Sequence, residues 1–140
     1  MIQSVVSALT NSVVAAGGDA SRVVRDMTEM CHAYPSLSPE VDTMTHPDGR
    51  SQSLPKISGT IPIVFRGSTY NIPVVLWVPL AYPREPPKCY VSPTKDMIIR
   101  PNHTNVDRSG LVFLPYLKDW SAHRSRLVEL CTILASVFSG

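Results

Sequence analysis

Apolar residues recur at two different periods along this chain, and the change between them separates helical ends from an extended middle. Ile2, Val5, Val6, Leu9, Val13 and Val14 recur at helical spacing until Gly17-Gly18 interrupts them. Asp19 or Ser21 can then cap a second helix, along which Val23, Val24, Met27, Met30, Cys31 and Tyr34 form one stripe, and Pro35 ends it. The stripe predicts core packing, ahead of a cofactor site. From Val41 the pattern turns extended. Residues 41–45 and 51–57 flank His46-Pro47-Asp48-Gly49-Arg50, a turn-rich segment that predicts a hairpin. Residues 59–65 are β-branched and aromatic, Arg66-Gly67-Ser68 turns the chain, and residues 69–78 make the strongest strand. Pro73 within it cannot donate a ladder hydrogen bond, which predicts an edge or a bulge. Consecutive strands on short turns predict an antiparallel meander. A proline-rich connection (79–87) leads to a short strand (88–91), and residues 94–117 read as mostly irregular. Residues 121–138 return to helical spacing, with Leu127, Leu130, Cys131, Leu134, Val137 and Phe138 on one side and Ser121 as cap. The order predicts an α+β layout in one domain spanning residues 1–140.

The totals narrow the function classes. With 44% hydrophobic and 17% charged residues, the chain is of folded, globular composition. A net charge of +2 gives little electrostatic reason to expect nucleic acid or an anionic membrane as partner. There is no apolar run long enough to predict membrane insertion. The first residues lack basic side chains ahead of their apolar part and alternate with Ser, Thr and Asn, which argues against a signal peptide. The three cysteines (Cys31, Cys89 and Cys131) are odd in number and lack CxxC spacing, so neither a disulfide framework nor a metal site is expected, and a reducing cytosol is the simpler setting. The 13 prolines concentrate between Pro35 and Pro115, predicting a loop-rich middle with edge strands.

One segment carries a chemical pattern: His103-Thr104-Asn105, then Gly110-Leu111-Val112-Phe113, then Leu114-Pro115-Tyr116-Leu117 and Trp120. A Gly-x-x approach suits a loop that presents one side chain in a shallow groove, and a nearby Asn can stabilise charge on a carbonyl oxygen. The segment resembles the active site of ubiquitin-conjugating enzymes, where a His-Pro-Asn triplet precedes Gly-x-x-Cys. In that register Thr104 replaces the proline and Phe113 replaces the nucleophile. A benzyl side chain cannot form a thioester. Asn105 then reads as a loop-stabilising side chain and His103 as a loop or surface residue. Cys31 and Cys131 lie on apolar helix stripes and Cys89 in an apolar strand, settings that predict buried, inert thiols.

Further motifs sharpen the resemblance. Tyr82-Pro83-Arg84-Glu85-Pro86-Pro87 looks like the Tyr-Pro-x-x-Pro-Pro stretch after the third strand of such folds. Gly59-Thr60-Ile61-Pro62, Arg66-Gly67, Thr69-Tyr70-Asn71-Ile72-Pro73, Leu76-Trp77 and Leu114-Pro115-Tyr116-Leu117 are similar to the ubiquitin-conjugating-enzyme-variant (UEV) domains of ESCRT-I subunits of the tumour-susceptibility and vacuolar protein sorting type. The likeness runs from about His46 to the end. It implies a ubiquitin-conjugating-enzyme-like fold, a meander sheet packed by N-terminal and C-terminal helices, without catalysis and without a cofactor.

Two binding functions follow from the resemblance. The first is recognition of Pro-Thr/Ser-x-Pro peptides of adaptor proteins, whose prolines pre-set an extended shape. It places the groove at Phe65, Tyr70, Asn71, Ile72, Pro73, Thr94 and Met97. Phe65 stands where the family usually has Tyr, and the chain stops at Gly140, before the Pro-Pro-Val-Phe-like segment that completes the family's groove; both imply weaker peptide binding. The second is noncovalent ubiquitin binding through Thr45, Pro47, Asp48, Trp77 and Tyr90. Asp48 can accept a bond from a basic ubiquitin side chain, and Trp77 and Tyr90 offer amphipathic surface. Pro47 replaces a polar family residue. Read without the resemblance, Asp48-Gly49 makes the turn and Trp77 belongs to the core. Two weak sites on one domain gain by avidity. The role implied is recruitment of ubiquitinated cargo and adaptors to ESCRT-I for endosomal (multivesicular body) sorting. It implies a cytoplasmic protein recruited to endosome membranes, with other ESCRT-I subunits bound through regions outside this chain. The alternative is a non-catalytic partner subunit of an active conjugating enzyme in polyubiquitin chain synthesis. The Thr-Tyr-Asn-Ile-Pro and Leu-Pro-Tyr-Leu motifs favour the sorting type.

Overall fold

The computed structural model describes residues 19–45, 47–65, 67–91 and 110–139, together with Asn11 and Val106. The apolar stripe expected over residues 2–14 lies outside them, apart from Asn11. Helix α1 (Ala20–Ala33) begins where the Asp19 carboxylate accepts the Arg22 backbone N–H at 3.1 Å, and ends at Tyr34, whose N–H returns to the Met30 carbonyl. Strands β1 (Leu37–Thr45), β2 (Ser51–Phe65), β3 (Ser68–Trp77) and β4 (Lys88–Val91) form an antiparallel sheet in the order β1-β2-β3-β4. The expected meander is therefore present, with three differences of detail.

Strand β1 begins at Leu37, ahead of the expected start at Val41. Strand β2 runs unbroken through Gly59, where two strands were expected. Gly59 has φ +148°, and a Cβ there would stand 2.0 Å from the Ser36 carbonyl oxygen. The missing side chain thus lets the start of β1 lie against the middle of β2. Strand β3 is internal, not an edge, since β2 and β4 flank it. However, β4 pairs only with Val74–Trp77, so Pro73 pairs with Thr60 of β2 alone. Its missing N–H lies past the end of β4, and the register advances one residue for one, without a bulge.

Ile57, Ile61 and Ile63 of β2 and Ile72, Val74 and Leu76 of β3 turn to one side and are buried there. Helix α3 (Leu127–Ser139) packs across β2 and against α1, burying Leu127, Leu130, Cys131 and Leu134. It begins later than the expected Ser121. Residues 121–125 instead form a turn in which the Ser121 N–H donates to Ser125 Oγ at 2.9 Å. The Arg126 N–H that a helix would give to the Ala122 carbonyl goes to Tyr116 Oη at 2.9 Å. The Arg22 guanidinium takes the Ala122 and Ser125 carbonyls. A short helix, α2 (Pro115–Lys118), stands in the segment expected to be irregular.

One buried polar cluster joins these parts. Asp26, 2% exposed at its side chain, accepts Arg22 Nε at 2.6 Å, Arg25 Nε at 3.2 Å and the Tyr82 hydroxyl at 2.5 Å. Burial, with the adjoining carboxylate, raises the Tyr82 hydroxyl far above its ordinary range, so it stays a donor. Trp120 Nε1 donates to the Pro83 carbonyl at 3.0 Å, and Trp120 packs between Tyr82 and Tyr116, with centroids 5.8 and 5.5 Å away. The cluster ties α1 and the 115–126 segment to the connection that leads into β4.

Candidate binding site

The segment aligned with a catalytic loop is built onto β4. Gly110 has φ +91°, and a Cβ there would stand 2.4 Å from the Val91 carbonyl oxygen. That approach lets the Val91 N–H reach the Gly110 carbonyl and the Val112 N–H reach the Cys89 carbonyl, both at 2.9 Å. Val112 turns inward, and Phe113 then emerges with 52% of its surface exposed. Beside it runs a groove of about 770 Å³ whose walls include Pro86, Pro87, Leu111 and Leu117. The Gly-x-x spacing does what the sequence implied: it presents one side chain at a groove. His103 and Asn105 lie outside the described residues. No other thiol stands in for the lost nucleophile among the described residues. Burial pushes Cys89 up to about 12 and raises Cys131 and Cys31 as well, so all three stay protonated near neutral pH.

The residues expected to meet ubiquitin fall at the β1–β2 hairpin and on the outer sheet face. Thr45 closes β1, its hydroxyl 3.1 Å from Ser51 Oγ, and Pro47 and Asp48 are exposed at the turn. The Asp48 carboxylate accepts the Arg50 N–H at 2.9 Å and Arg50 Nε at 2.7 Å, so it shapes the turn as well as facing solvent. Trp77 is not core. Alternation along β3 puts Asn71, Pro73, Val75 and Trp77 on the face away from the helices, and Tyr90 joins them opposite Val75. Between the hairpin and Trp77 lies a cavity of about 270 Å³, walled in part by Met44, Leu54, Pro79 and Leu80.

Sequence reasoning missed the charged group beside Trp77. Lys56 Nζ stands 5.0 Å from the centre of the Trp77 ring, 2.9 Å from Asp42 Oδ2 and 3.4 Å from Glu40 Oε1. The bond from Lys56, aided by the Thr43 N–H, holds the Asp42 carboxyl below its ordinary range, and the same bond raises Lys56. Alternating acidic residues in β1 were visible in the sequence; which lysine and which ring they meet depends on the register, which pairs Glu40 with Lys56 and Lys56 with Trp77.

The peptide set is divided by β3. Asn71 is exposed and Pro73 half-buried on the outer face, whereas Tyr70 packs half-buried against the core and Ile72 is only 5% exposed. Ile72 can therefore shape a groove only from beneath. Phe65 ends β2 opposite Ser68. Its side chain, Thr94 and Met97 lie outside the described residues. The described geometry thus brings Asn71 and Pro73 onto one face with Trp77 and Tyr90.

Comparison with known proteins agrees with this architecture. The UEV domain family matches residues 10–140. Protein ELC of Arabidopsis thaliana is 48% identical over 113 residues, covering 81% of this chain and 28% of ELC. The ESCRT-I complex subunit tsg101 of Dictyostelium discoideum is 40% identical over 105 residues, covering 75% of this chain and 21% of the subunit. The chain thus matches less than a third of the length of these relatives. The yeast Vps23 UEV domain, solved with a Vps27 PSDP peptide, superposes with a TM-score of 0.82 at 29% identity, covering 96% of this chain and 90% of that one. The Vps23 UEV solved with ubiquitin gives 0.78 at 29% identity, covering 99% and 95%. A ubiquitin-conjugating enzyme E2 of Plasmodium falciparum gives 0.56 at 18% identity over 89% and 86% of the two chains, a likeness of fold alone.

Proposed function

The chain belongs to the UEV domain family, and from that premise we propose that it is a non-catalytic module binding ubiquitin and Pro-Thr/Ser-x-Pro peptides. In this reading it recruits ubiquitinated cargo and adaptor proteins to ESCRT-I for endosomal sorting. The observation that carries the non-catalytic part is Phe113: Gly110 and Val112 pair with β4, and what this turn presents is a benzyl ring. The binding part rests on the outer sheet face, where half-buried Trp77 and Tyr90 offer amphipathic surface beside an exposed hairpin. It is supported by the Vps23 UEV domain having been solved with ubiquitin and with a PSDP peptide. Each contact is small, so cargo and adaptor are held best together. The working place is the cytoplasmic side of endosome membranes, with other ESCRT-I subunits bound outside this chain. No described helix is long and apolar enough to cross a membrane.

NMR titration of the labelled chain tests the proposal. A Pro-Thr-Ala-Pro peptide should shift resonances around Tyr70 and Met97, and ubiquitin those of Thr45, Asp48, Trp77 and Tyr90. Incubation with activating enzyme, ubiquitin and ATP should leave no reducible adduct. A thioester would overturn the non-catalytic reading; absence of shifts with either ligand would overturn that binding function.

A further inference from the structure

We propose that Lys56 is a positioning residue for the ubiquitin-facing surface: it fixes the Trp77 indole as the wall of an apolar socket that takes an aliphatic side chain of ubiquitin. The inference rests on the ubiquitin reading above and adds a residue, a device and a contact type to it. Glu40, Lys56 and Trp77 form one row across β1, β2 and β3, all on the outer face. Despite that face, the Lys56 side chain is only 19% exposed. The covered stem fixes where the ammonium sits, and the neighbouring strands give it support. Asp42 at 2.9 Å and Glu40 at 3.4 Å supply it from β1, and the Trp77 ring at 5.0 Å supplies it from β3. The two carboxylates therefore pin the ammonium, and the pinned ammonium restrains the ring.

The 270 Å³ cavity shows what the restrained ring is for. Trp77 forms part of its wall with Met44, Leu54, Pro79 and Leu80, whereas Lys56 does not line it. The charge thus supports the indole from outside a pocket whose lining is largely apolar. Gln52, Glu85 and Lys88 complete the lining, so the pocket offers an aliphatic side chain an apolar wall with polar groups beside it. It adjoins the hairpin carrying Thr45 and Asp48, so one partner surface can meet the turn and fill the socket together. A ring held before the partner arrives costs less ordering entropy on binding, which is where a weak interface gains most.

The test uses the Lys56→Met and Lys56→Arg variants, with ubiquitin binding followed by titration and the two tryptophan indole N–H resonances followed by NMR. Lys56→Met should weaken ubiquitin binding about five-fold. It should also move the free protein's Trp77 indole peak and leave that of Trp120 in place. Lys56→Arg should restore both, because a guanidinium keeps the charge and stacks on an aromatic face. Bound ubiquitin should show methyl-to-indole Overhauser contacts at Trp77. Wild-type affinity and a still Trp77 peak in Lys56→Met would overturn the positioning role. Equal loss in both variants alongside a lowered melting temperature would make Lys56 merely structural and overturn it too. Overhauser contacts absent from an otherwise normal complex would remove the socket. If the unsubstituted chain fails to bind ubiquitin, the ubiquitin reading falls, and the indole peaks still decide whether Lys56 holds the ring.

Discussion

The molecule contains two groups of the same composition, a cation, carboxylate and aromatic ring, in opposite settings. Arg22, Asp26 and Tyr82 lie inside, with Arg22 Cζ 5.9 Å from the Tyr82 ring centre. Lys56, Asp42 and Trp77 lie on the outer sheet face, where Asp42 is 48% exposed. Burial decides what each can do. Inside, a carboxylate without its partners would be stranded in a poorly solvating medium, so the cluster is all-or-none and spends its interactions on joining segments far apart in sequence. Outside, water can replace any lost partner, so the group contributes little to stability and is free to set the orientation of one ring. The arginine suits the first setting because its fork also takes the Ala122 and Ser125 carbonyls; the lysine, a point charge on a flexible stem, suits the second.

The largest expected effect breaks the inner group. Asp26→Ala leaves Arg22 and the Tyr82 hydroxyl without their acceptor and should cost about 3–5 kcal/mol in urea unfolding. The carbonyls that Arg22 keeps place the value toward the lower end. A loss under about 1 kcal/mol would mean the cluster is no more structural than its surface counterpart. Tyr82→Phe is milder, since it removes one bond to a charged group and keeps the ring against Trp120; about 1.5–3 kcal/mol is expected. It carries a second signature. The folded hydroxyl is raised above its unfolded value, so its contribution is complete below about pH 10 and fades as pH climbs from there. The alkaline decline of the unsubstituted protein should be smaller in Tyr82→Phe.

The contrast also explains what could be read from the chain. The Asp19 cap, the hairpin and β3 were legible because their signals are local: a carboxylate before an apolar stripe, a turn between alternating runs. Phe113 was legible because a spaced motif lacked one member. Gly59 looked like a strand break because its reason, the Ser36 carbonyl, comes from the turn ahead of β1, distant in sequence. The late start of α3 was hidden for the same cause. Its apolar pattern extends helical expectations to Ser121, but Arg22 and Tyr116 capture the hydrogen-bonding groups that a helix would use. Asp26 sits among the apolar residues of α1 and gave no sign of partners. On the outer face, Trp77 read as contact surface by the resemblance and as core without it until parity along β3 placed it, and Lys56 was invisible until the register joined three strands. Ile72, grouped with the peptide residues by resemblance, points the other way from Asn71 and Pro73.

The smallest effect sharpens the outer half of the comparison, and its sign follows from Asp42. Hydrogen bonding to Lys56 lowers this carboxyl's folded value below the ordinary 3.8. A depressed carboxylate contributes fully above its unfolded value, and that contribution is lost as pH falls through the folded value. The contact that pins Lys56 is therefore intact at neutral pH and begins to fail only below the ordinary carboxylate range. Between pH 6 and the acid limb the Trp77 indole resonance should stand still, then move as Asp42 takes up a proton and loosens its hold on the ammonium. Asp42→Asn should place the peak near its acid position already at neutral pH and remove that limb. The melting temperature should barely change, because both partners are solvated when released. The Trp120 indole, bonded to the Pro83 carbonyl within the inner cluster, is the reference that should stay put through the same substitution. A Trp77 peak indifferent to both acid and Asp42→Asn would show that the ring is held by packing alone and that the outer group, unlike the inner one, holds nothing in place.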